Sequence, residues 1–260
     1  MVLPDKELAA FRRDGFALAP PLVSAADIEA VRGEIAAMVA ALPNGHRPEN
    51  LRDPHEACPR FLALCLDSPI ARGAELLLGP NLLMWGSYGF AKPPRDGLPV
   101  DWHQDGRYFP LEPMETVTAW LPLDDADEGN GGLRVIPGSH RPRRFLAHAT
   151  HEDWGRARAL PLGIEDADEA RARTLAVKAG AVEYHDPYLV HGSGPNRSNR
   201  PRRAIQILYM TRRVRLDTSD KQAMGLDWHR LKLFHCRPRM AGGWAYHLAD
   251  APDEVCVFGA

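Results

Sequence analysis

The chain has 260 residues, and its 45% hydrophobic and 25% charged residues are typical of a soluble globular protein that can bury a substantial core. The formal net charge of −2 argues against general binding to nucleic acid or to anionic membranes, and no apolar run reaches the length of a membrane span. We expect a reduced, cytoplasmic protein, because the start of the chain is charged from residue 5 onward, unlike a signal peptide, and the four cysteines show no CxxC spacing.

Helical patterns come first along the chain. Residues 5–13 predict a short helix, and the segment SAADIEAVRGEIAAMVAAL has apolar residues at helical spacing after a capping-box pair, Ser24 and Asp27. The polar, proline-rich segment 43–59 predicts a loop, and we consider its part 43–58 as a lid over a site. A further helical stretch, PRFLALCLDSPIARGAELLLG, ends at a Gly-Pro stop signal.

After residue 80 the pattern changes to short segments that are rich in β-branched and aromatic residues and bounded by turn residues. About eight such segments, without regularly interposed helices, predict a double-sheet jelly roll or barrel rather than a parallel α/β sheet. We therefore predict one mainly β domain over 1–260 with flanking α-helices. It comprises a helical part (1–80), a core (81–213) and an extension (214–260), and an insertion at about 141–172, expected to be partly helical, interrupts the core.

The segment VDWHQDGRYFP places His103 and Asp105 two positions apart at the end of a predicted strand, where both side chains project from one face. Such a pair forms either two corners of a metal site or a surface ion pair. Composition alone predicts about one His-x-Asp or His-x-Glu pair by chance, and the chain contains two. The second, His151 with Asp153, lies in the polar insertion, and we interpret it as a surface feature.

The segment LVHGSGPNRSNRPRRAIQILYM favours the metal site, because His191 adds a second imidazole at the end of another predicted strand. Two imidazoles and one carboxylate are the ligand set of non-haem Fe(II) oxygenases. Such an iron needs a bidentate 2-oxo acid and O₂, and an arginine fork, helped by a hydroxyl such as Ser193, suits the far carboxylate of that acid. Adjacent strand residues face opposite sides, so only one of Arg202 and Arg203 enters the pocket, and periodicity does not decide which.

Other residues compete for these roles. His185 and Asp186 are the main rivals as metal ligands, because His185 lies six residues before His191 and an even offset keeps strand parity. Pro187, however, interrupts the strand between them. Three residues just after the metal pair are either substrate contacts or packing residues: Arg107, Tyr108 and Phe109.

Three segments in this order resemble the phytanoyl-CoA dioxygenase family of Fe(II)/2-oxoglutarate-dependent oxygenases: KPPRDGLPVDWHQDGRYFP, VTAWLPLDDADEGNGGLRVIPGSHRP and VHGSGPNRSNRPRRAIQ. The similarity begins at FRRDGFALAPPLVSAADIEAVRGEI and runs to about Met210. The resemblance implies a double-stranded β-helix core, a cupin-like jelly roll, on which three side chains ligate Fe(II): His103, Asp105 and His191.

The resemblance also implies that Arg202, and not Arg203, binds the distal carboxylate of the co-substrate 2-oxoglutarate, with help from Ser193. Three more residues occupy positions that contact co-substrate or substrate in similar proteins: Lys92, Gln104 and Trp120. Their alternative interpretations are a solvated lysine, a strand amide and a core tryptophan.

The implied activity is that of a dioxygenase, which consumes O₂ and 2-oxoglutarate, hydroxylates a small molecule and releases succinate and CO₂. The Arg- and Ala-rich composition suggests a bacterial secondary metabolite as that molecule. Asp105 argues against halogenation, since related halogenases carry a small residue there, whereas desaturation, ring closure and epimerisation stay open. Two alternatives also stay open: a cupin-like metalloenzyme that does not use 2-oxoglutarate, and a non-catalytic binding module on the same fold.

Overall fold

The computed structural model describes residues 2–109, 111–216, 232–236 and 246–247. Most of the predicted extension 214–260 lies outside the described residues. Within them, the N-terminal part contains five α-helices: α1 (Asp5–Asp14), α2 (Ala25–Ala40), α3 (Pro54–Ala57), α4 (Pro59–Leu66) and α5 (Pro69–Leu78). None of the helices in the described part of the chain has the length and apolar character that crossing a membrane requires.

The helices begin where the sequence supplies caps. Ser24 precedes α2 and accepts a hydrogen bond from the Asp27 backbone N–H at 3.1 Å, as the capping pattern predicts. The stretch predicted as one further helix is two, α4 and α5, because Ser68 caps a new helix that starts at Pro69. The segment predicted as a loop, 43–59, also contains α3 and a short strand.

The described strands lie mainly in the second part of the chain. In chain order they are β1 (Phe16–Ala19), β2 (Leu51–Arg52), β3 (Leu82–Lys92), β4 (Val100–His103), β5 (Leu111–Glu112), β6 (Thr116–Pro122), β7 (Leu133–Val135), β8 (Ala149–Thr150), β9 (Leu162–Gly163), β10 (Arg173–Thr174), β11 (Val182–His185), β12 (His191–Ser193), β13 (Arg202–Thr211), β14 (Arg215–Leu216), β15 (Leu233–His235) and β16 (Tyr246–His247). Short 3₁₀ turns cover Asp105–Arg107, Glu128–Asn130 and Glu169–Arg171.

Two antiparallel sheets form the core, which confirms the predicted mainly β jelly roll. The larger sheet has the strand order β1-β11-β6-β13-β3-β15-β16, with β2 paired to β3, and the smaller has the order β10-β7-β12-β4. Alternate residues of the larger sheet face opposite ways. One face packs against the helices, where Tyr184 donates to the Ile70 carbonyl of α5 and Tyr209 to the Cys65 carbonyl of α4. The other face looks toward the smaller sheet.

The insertion at 141–172 contains no α-helix, and its helical content is limited to one short turn. It forms the short pair β8–β9 and one 3₁₀ turn. The segment has no apolar stripe at helical spacing, and ion pairs fix it instead. Arg158 contacts both Asp101 of β4, the strand that ends at His103, and Asp153.

The contact between α5 and the larger sheet leaves no room at Gly73. A Cβ at Gly73 would stand 2.5 Å from Tyr184 Cζ, and Tyr184 is fully buried. We expect Gly73→Ala to lower the free energy of unfolding by about 1–3 kcal/mol, because overpacking outweighs the helix propensity that alanine adds. Chemical denaturation measures this value. The matched control is Gly33→Ala in α2. An added Cβ there meets no atom within 4 Å beyond the helix's own backbone, and a gain of about 0.5–1 kcal/mol in the free energy of unfolding is expected. A stable Gly73→Ala protein would contradict the packing argument.

Candidate active site

Two strands and the turn after one of them bring His103, Asp105 and His191 together. His103 ends β4 and pairs in register with His191 of β12, so their rings lie 4.1 Å apart between centroids. Asp105 opens the following 3₁₀ turn, and its Oδ1 lies 3.4 Å from Nε2 of each histidine. One ligand atom from each residue lies within 4.8 Å of the others, and all three residues are buried.

Backbone carbonyls orient both imidazoles. His103 Nδ1 lies 2.8 Å from the Asp101 carbonyl oxygen, and His191 Nδ1 lies 3.0 Å from that of Leu189. A ring nitrogen bonded to a carbonyl must carry the hydrogen, so in the neutral form of either ring the lone pair is on Nε2, the nitrogen that faces Asp105. Burial, together with the neighbouring imidazoles of His103 and His185, lowers the pKa of His191 to about 4. His191 is therefore neutral, as a metal ligand must be.

The two oxygens of Asp105 have different surroundings. Oδ2 accepts a hydrogen bond from the Thr118 hydroxyl at 2.6 Å, lies 3.3 Å from the Gln206 amide and contacts His185 Nε2 at 3.0 Å. Oδ1 is the oxygen that faces the two metal-pair imidazoles. Burial alone would raise the pKa of Asp105, but the adjacent imidazoles, first that of His191, hold this pKa well below its usual value. Asp105 is ionised.

A cavity opens beside these three residues. It is lined by apolar side chains from both sheets and by several polar side chains, four of which belong to predicted site residues. Its wall consists of Phe90, Val100, His103, Trp120, Leu133, His191, Gly192, Ser193, Arg202 and Gln206. The guanidinium carbon of Arg202 lies 5.8 Å from the Trp120 ring centroid, a distance that allows a cation–π contact.

Two buried cations share one hydroxyl at this cavity. Arg202 of β13 pairs in register with Lys92 of β3, and both are at most 2% exposed. Lys92 Nζ donates to Ser193 Oγ at 2.8 Å and to the Gly194 carbonyl, while Arg202 Nη2 approaches Ser193 Oγ at 3.4 Å and Nε donates to the Gly131 carbonyl at 3.0 Å. All these acceptors are neutral groups.

Burial makes the charged forms of both side chains costly to hold. Burial lowers the pKa of Arg202 to about 10. Burial and the adjacent Arg202 hold the pKa of Lys92 well below its usual value. Arg203, the next residue, faces the other side of the sheet and forms a two-pronged ion pair with Asp124, at 2.7 and 2.8 Å. Asp124 thus offsets the charge of Arg203. An anion bound in the cavity would do the same for Arg202.

Gln104 is buried, and its side-chain amide is hydrogen-bonded to backbone groups. Its Nε2 donates to the carbonyls of Arg144 and Tyr188 at 3.1 and 2.9 Å, and its Oε1 accepts from the Leu146 N–H at 2.8 Å. The contact of Gln104 with co-substrate or substrate stays a prediction. In this structure the side chain ties the start of the insertion to the loop that carries Asp105.

The rival ligands are not members of the three-residue ligand set. His185 belongs to β11 of the larger sheet and approaches Asp105 from behind, and Asp186 pairs with Arg143 at 2.6 Å. His151 Nε2 contacts Asp101 at 3.4 Å, so His151 and Asp153 do not form a metal pair with each other.

The aromatic residues after the metal pair are packed. Tyr108 lies edge-on to His103, with 5.8 Å between centroids, and donates to the Leu162 carbonyl at 3.1 Å. Phe109 packs edge-on against Trp85 at 4.8 Å. Of the two interpretations that the sequence left open for Tyr108 and Phe109, these contacts favour packing.

The segment considered as a lid is tied to the sheet. Arg47 forms ion pairs with Glu49 and Asp96, both at 2.7 Å, and Glu49 accepts from the Leu98 N–H at 2.9 Å. β2, within the same segment, pairs with β3. Any closing movement of 43–58 would have to break these bonds.

Sequence reasoning did not identify Thr118, Gln206 and Glu183, which support the cluster from the larger sheet. All three lie on the face that looks toward the smaller sheet, as the register of β6, β11 and β13 shows. A signal was available, because these are polar residues inside the mainly apolar segments TVTAWLP, AVEYH and AIQILYM. Without the strand pairing, that signal does not say what they contact.

The chain is similar in sequence to known proteins. The model of the family "Phytanoyl-CoA dioxygenase (PhyH)" matches residues 11–204. Peroxisomal phytanoyl-CoA dioxygenase of Bos taurus is 33% identical over 147 residues, which are 54% of this chain and 43% of the bovine protein. The match thus spans less than half the length of that relative. The ectoine dioxygenase of Bordetella parapertussis is 26% identical over 227 residues, 78% of this chain and 74% of that protein.

A solved structure agrees over most of the chain. EvdO2 from Micromonospora carbonacea var. aurantiaca, crystallised with 2-oxoglutarate, superposes with a TM-score of 0.68 and 26% identity over 81% of this chain and 93% of that one. The shared fold, the sequence match over residues 11–204 and the buried His-Asp-His cluster lead to one conclusion: this chain belongs to the phytanoyl-CoA dioxygenase (PhyH) family.

Proposed function

We propose that this protein is an Fe(II)- and 2-oxoglutarate-dependent dioxygenase that hydroxylates a small molecule. The observation that carries the proposal is the buried set of His103, Asp105 and His191, whose ligand atoms face one another beside a cavity that also contains Arg202. Two imidazoles and a carboxylate with open positions are the ligand set of Fe(II) oxygenases.

The donor groups fit a divalent iron. Backbone carbonyls fix the hydrogen on Nδ1 of both rings, so each neutral ring offers a metal its Nε2 lone pair, and Asp105 is ionised with Oδ1 on the side of the imidazoles. We infer that His103, Asp105 and His191 hold the iron. The protein thereby sets the ligand geometry, while burial of all three residues limits access of water.

The cavity fits a dicarboxylic 2-oxo acid. Arg202 offers a guanidinium fork and Ser193 a hydroxyl for the distal carboxylate, and Lys92 holds that hydroxyl in place. Trp120 and Leu133 provide apolar surface for the methylene groups between the two ends. EvdO2, which shares the fold at 26% identity, was crystallised with 2-oxoglutarate. Bound iron and 2-oxoglutarate supply the activation of O₂ for hydroxylation, with release of succinate and CO₂.

An anaerobic titration tests this proposal. Adding Fe(II) and then 2-oxoglutarate to the apo-protein should produce a visible charge-transfer band, because the 2-oxo acid chelates the iron. Glutarate is the matched control, since it keeps both carboxylates, lacks the 2-oxo group and should give no band. If iron binds and 2-oxoglutarate gives no band, the protein is a metalloenzyme of another kind. If no iron binds, the proposal is wrong. Succinate release with candidate substrates, beginning with secondary metabolites, follows a positive result.

A further inference from the structure

Two charged side chains lie inside the jelly roll behind the metal cluster. Glu183 and His185 occupy alternate positions of β11 and are 0% exposed. The register pairs them with Trp120 and Thr118 of β6, so all four side chains lie on the face of the larger sheet that looks toward the smaller one. Apolar residues are buried next to them, with Val135 and Leu189 in the same cluster as Trp120.

The two residues form a chain of contacts that ends at Asp105. Glu183 Oε2 lies 2.7 Å from His185 Nδ1, and His185 Nε2 lies 3.0 Å from Asp105 Oδ2. A carboxylate oxygen can only accept, so each ring nitrogen donates an N–H to the carboxylate that it faces. His185 thus links a carboxylate in the core to the carboxylate at the site.

This arrangement does not stabilise the fold efficiently. Removing charged groups from water costs several kcal/mol per ion, and apolar residues of similar volume often serve a core equally well or better. Within the described structure, Glu183 Oε1 is also buried without any hydrogen-bond partner. A polar chain that is costly to bury and incompletely bonded calls for a reason other than packing.

The contacts on Asp105 supply that reason. Its Oδ2 receives His185 Nε2, the Thr118 hydroxyl and the Gln206 amide within 3.3 Å, more donors than one carboxylate oxygen has lone pairs for. Its Oδ1, by contrast, faces Nε2 of His103 and His191. Oδ2 is therefore occupied before any metal arrives.

We propose that Glu183 and His185 are positioning residues that orient Asp105 so that it offers a metal only Oδ1. The proposal rests on the proposed function for the identity of the metal, but concerns these two residues alone. His185 acts on Asp105 directly and Glu183 acts through His185. The carboxylate is thereby held as a one-oxygen ligand, which leaves room at the metal for a chelating co-substrate.

The test measures metal affinity, with Co(II) as the probe, by titrating the apo-protein and recording the visible absorption of the bound ion. His185→Gln should weaken Co(II) binding by up to about 100-fold, and Glu183→Gln by about 10-fold, in the range found for outer partners of metal ligands. The absorption spectrum should also change, because a released Asp105 can offer both oxygens. Thermal unfolding of each apo-protein separates these effects from loss of structure.

His55→Gln is the matched control. His55 is also buried, at 3% exposure, and its Nδ1 lies 2.7 Å from Ser87 Oγ. Ser87 pairs in register with Ile207, which is next to Gln206 and faces the opposite side of the larger sheet. His55 therefore lies on the side away from the metal cluster, and His55→Gln should leave the site intact. We expect an unchanged affinity for Co(II) in His55→Gln.

The outcomes separate this inference from the proposed function. Wild-type affinity and spectrum in both Glu183→Gln and His185→Gln would overturn the positioning role and leave the dioxygenase proposal standing. An equal loss in His55→Gln would also overturn it, since the effect would then be general destabilisation. If His185→Gln does not fold, the nearly isosteric Glu183→Gln decides.

If wild-type protein binds Co(II) but never 2-oxoglutarate, the proposed function fails and the positioning role stands on the affinities. If wild-type protein binds no metal, both fail.

Discussion

His103→Ala should abolish metal binding and, with it, any 2-oxoglutarate turnover. His103 contributes one of two imidazoles, and its Nε2 lies 3.4 Å from Asp105 Oδ1, so its loss leaves His191 and one carboxylate as ligands. Changing an outer partner of a metal ligand already costs about 10- to 100-fold in affinity. Removing the ligand itself should therefore cost more than about 100-fold. Metal content after loading and the Co(II) titration measure the loss.

The control for this prediction is His151→Ala, in the other His-x-Asp pair of the chain. His151 contacts the Asp101 side chain and not Asp153, and it is not part of the metal-ligand cluster that the described residues form. His151→Ala should bind metal like the wild-type protein. Full binding by His103→Ala would contradict the ligand assignment. Loss in both variants would mean that the substitutions unfold this region.

The local features of this site could be predicted from the sequence. The spacing of His103 and Asp105 at the end of a strand, and the position of His191 at the end of another, predicted side chains with suitable chemistry. The mainly β, turn-rich pattern predicted the jelly roll, which the structure confirms. Spacing did not reveal that His191 lies opposite His103, because strand register follows from tertiary pairing.

His185 shows where the sequence signal misleads. Its even offset from His191 suggested one strand with both imidazoles on one face. The chain instead leaves the larger sheet after His185, passes Pro187 and enters the smaller sheet at His191. The two rings therefore approach from opposite sheets, 4.4 Å apart between centroids, and parity within a strand does not apply.

The insertion is less helical than its composition suggests, for a different reason. Its Arg-, Asp- and Ala-rich composition suits a helix, but helices in proteins depend on an apolar face that packs. This segment finds its partners through side-chain ion pairs, such as that of Arg158 with Asp101, and through the Gln104 amide. Neither contact can be read from local composition.

Arg202→Ala should raise the concentration of 2-oxoglutarate needed for half-saturation by at least about 30-fold, with metal binding intact. Arg202 is 2% exposed and lines the cavity beside Ser193. Truncating one partner of a buried, hydrogen-bonded charge pair costs about 2–5 kcal/mol, and each 1.4 kcal/mol is tenfold in affinity. The charge-transfer band, titrated with 2-oxoglutarate at saturating Fe(II), measures the shift. Residual binding would depend on Lys92, which reaches the same hydroxyl.

Arg203→Ala provides a control of the same residue type one position along the strand. Arg203 lies on the other face of the sheet and is paired with Asp124, so its loss should leave the 2-oxoglutarate titration unchanged while it weakens a surface ion pair. The two variants should also differ in stability. Removing Arg202 takes away a charge that lowers the pKa of the neighbouring Lys92, whereas Arg203→Ala leaves Asp124 without this partner. A guanidinium and an amine that approach one hydroxyl in a buried cavity fit a site for a dianion. Equal titrations for Arg202→Ala and Arg203→Ala would contradict that interpretation.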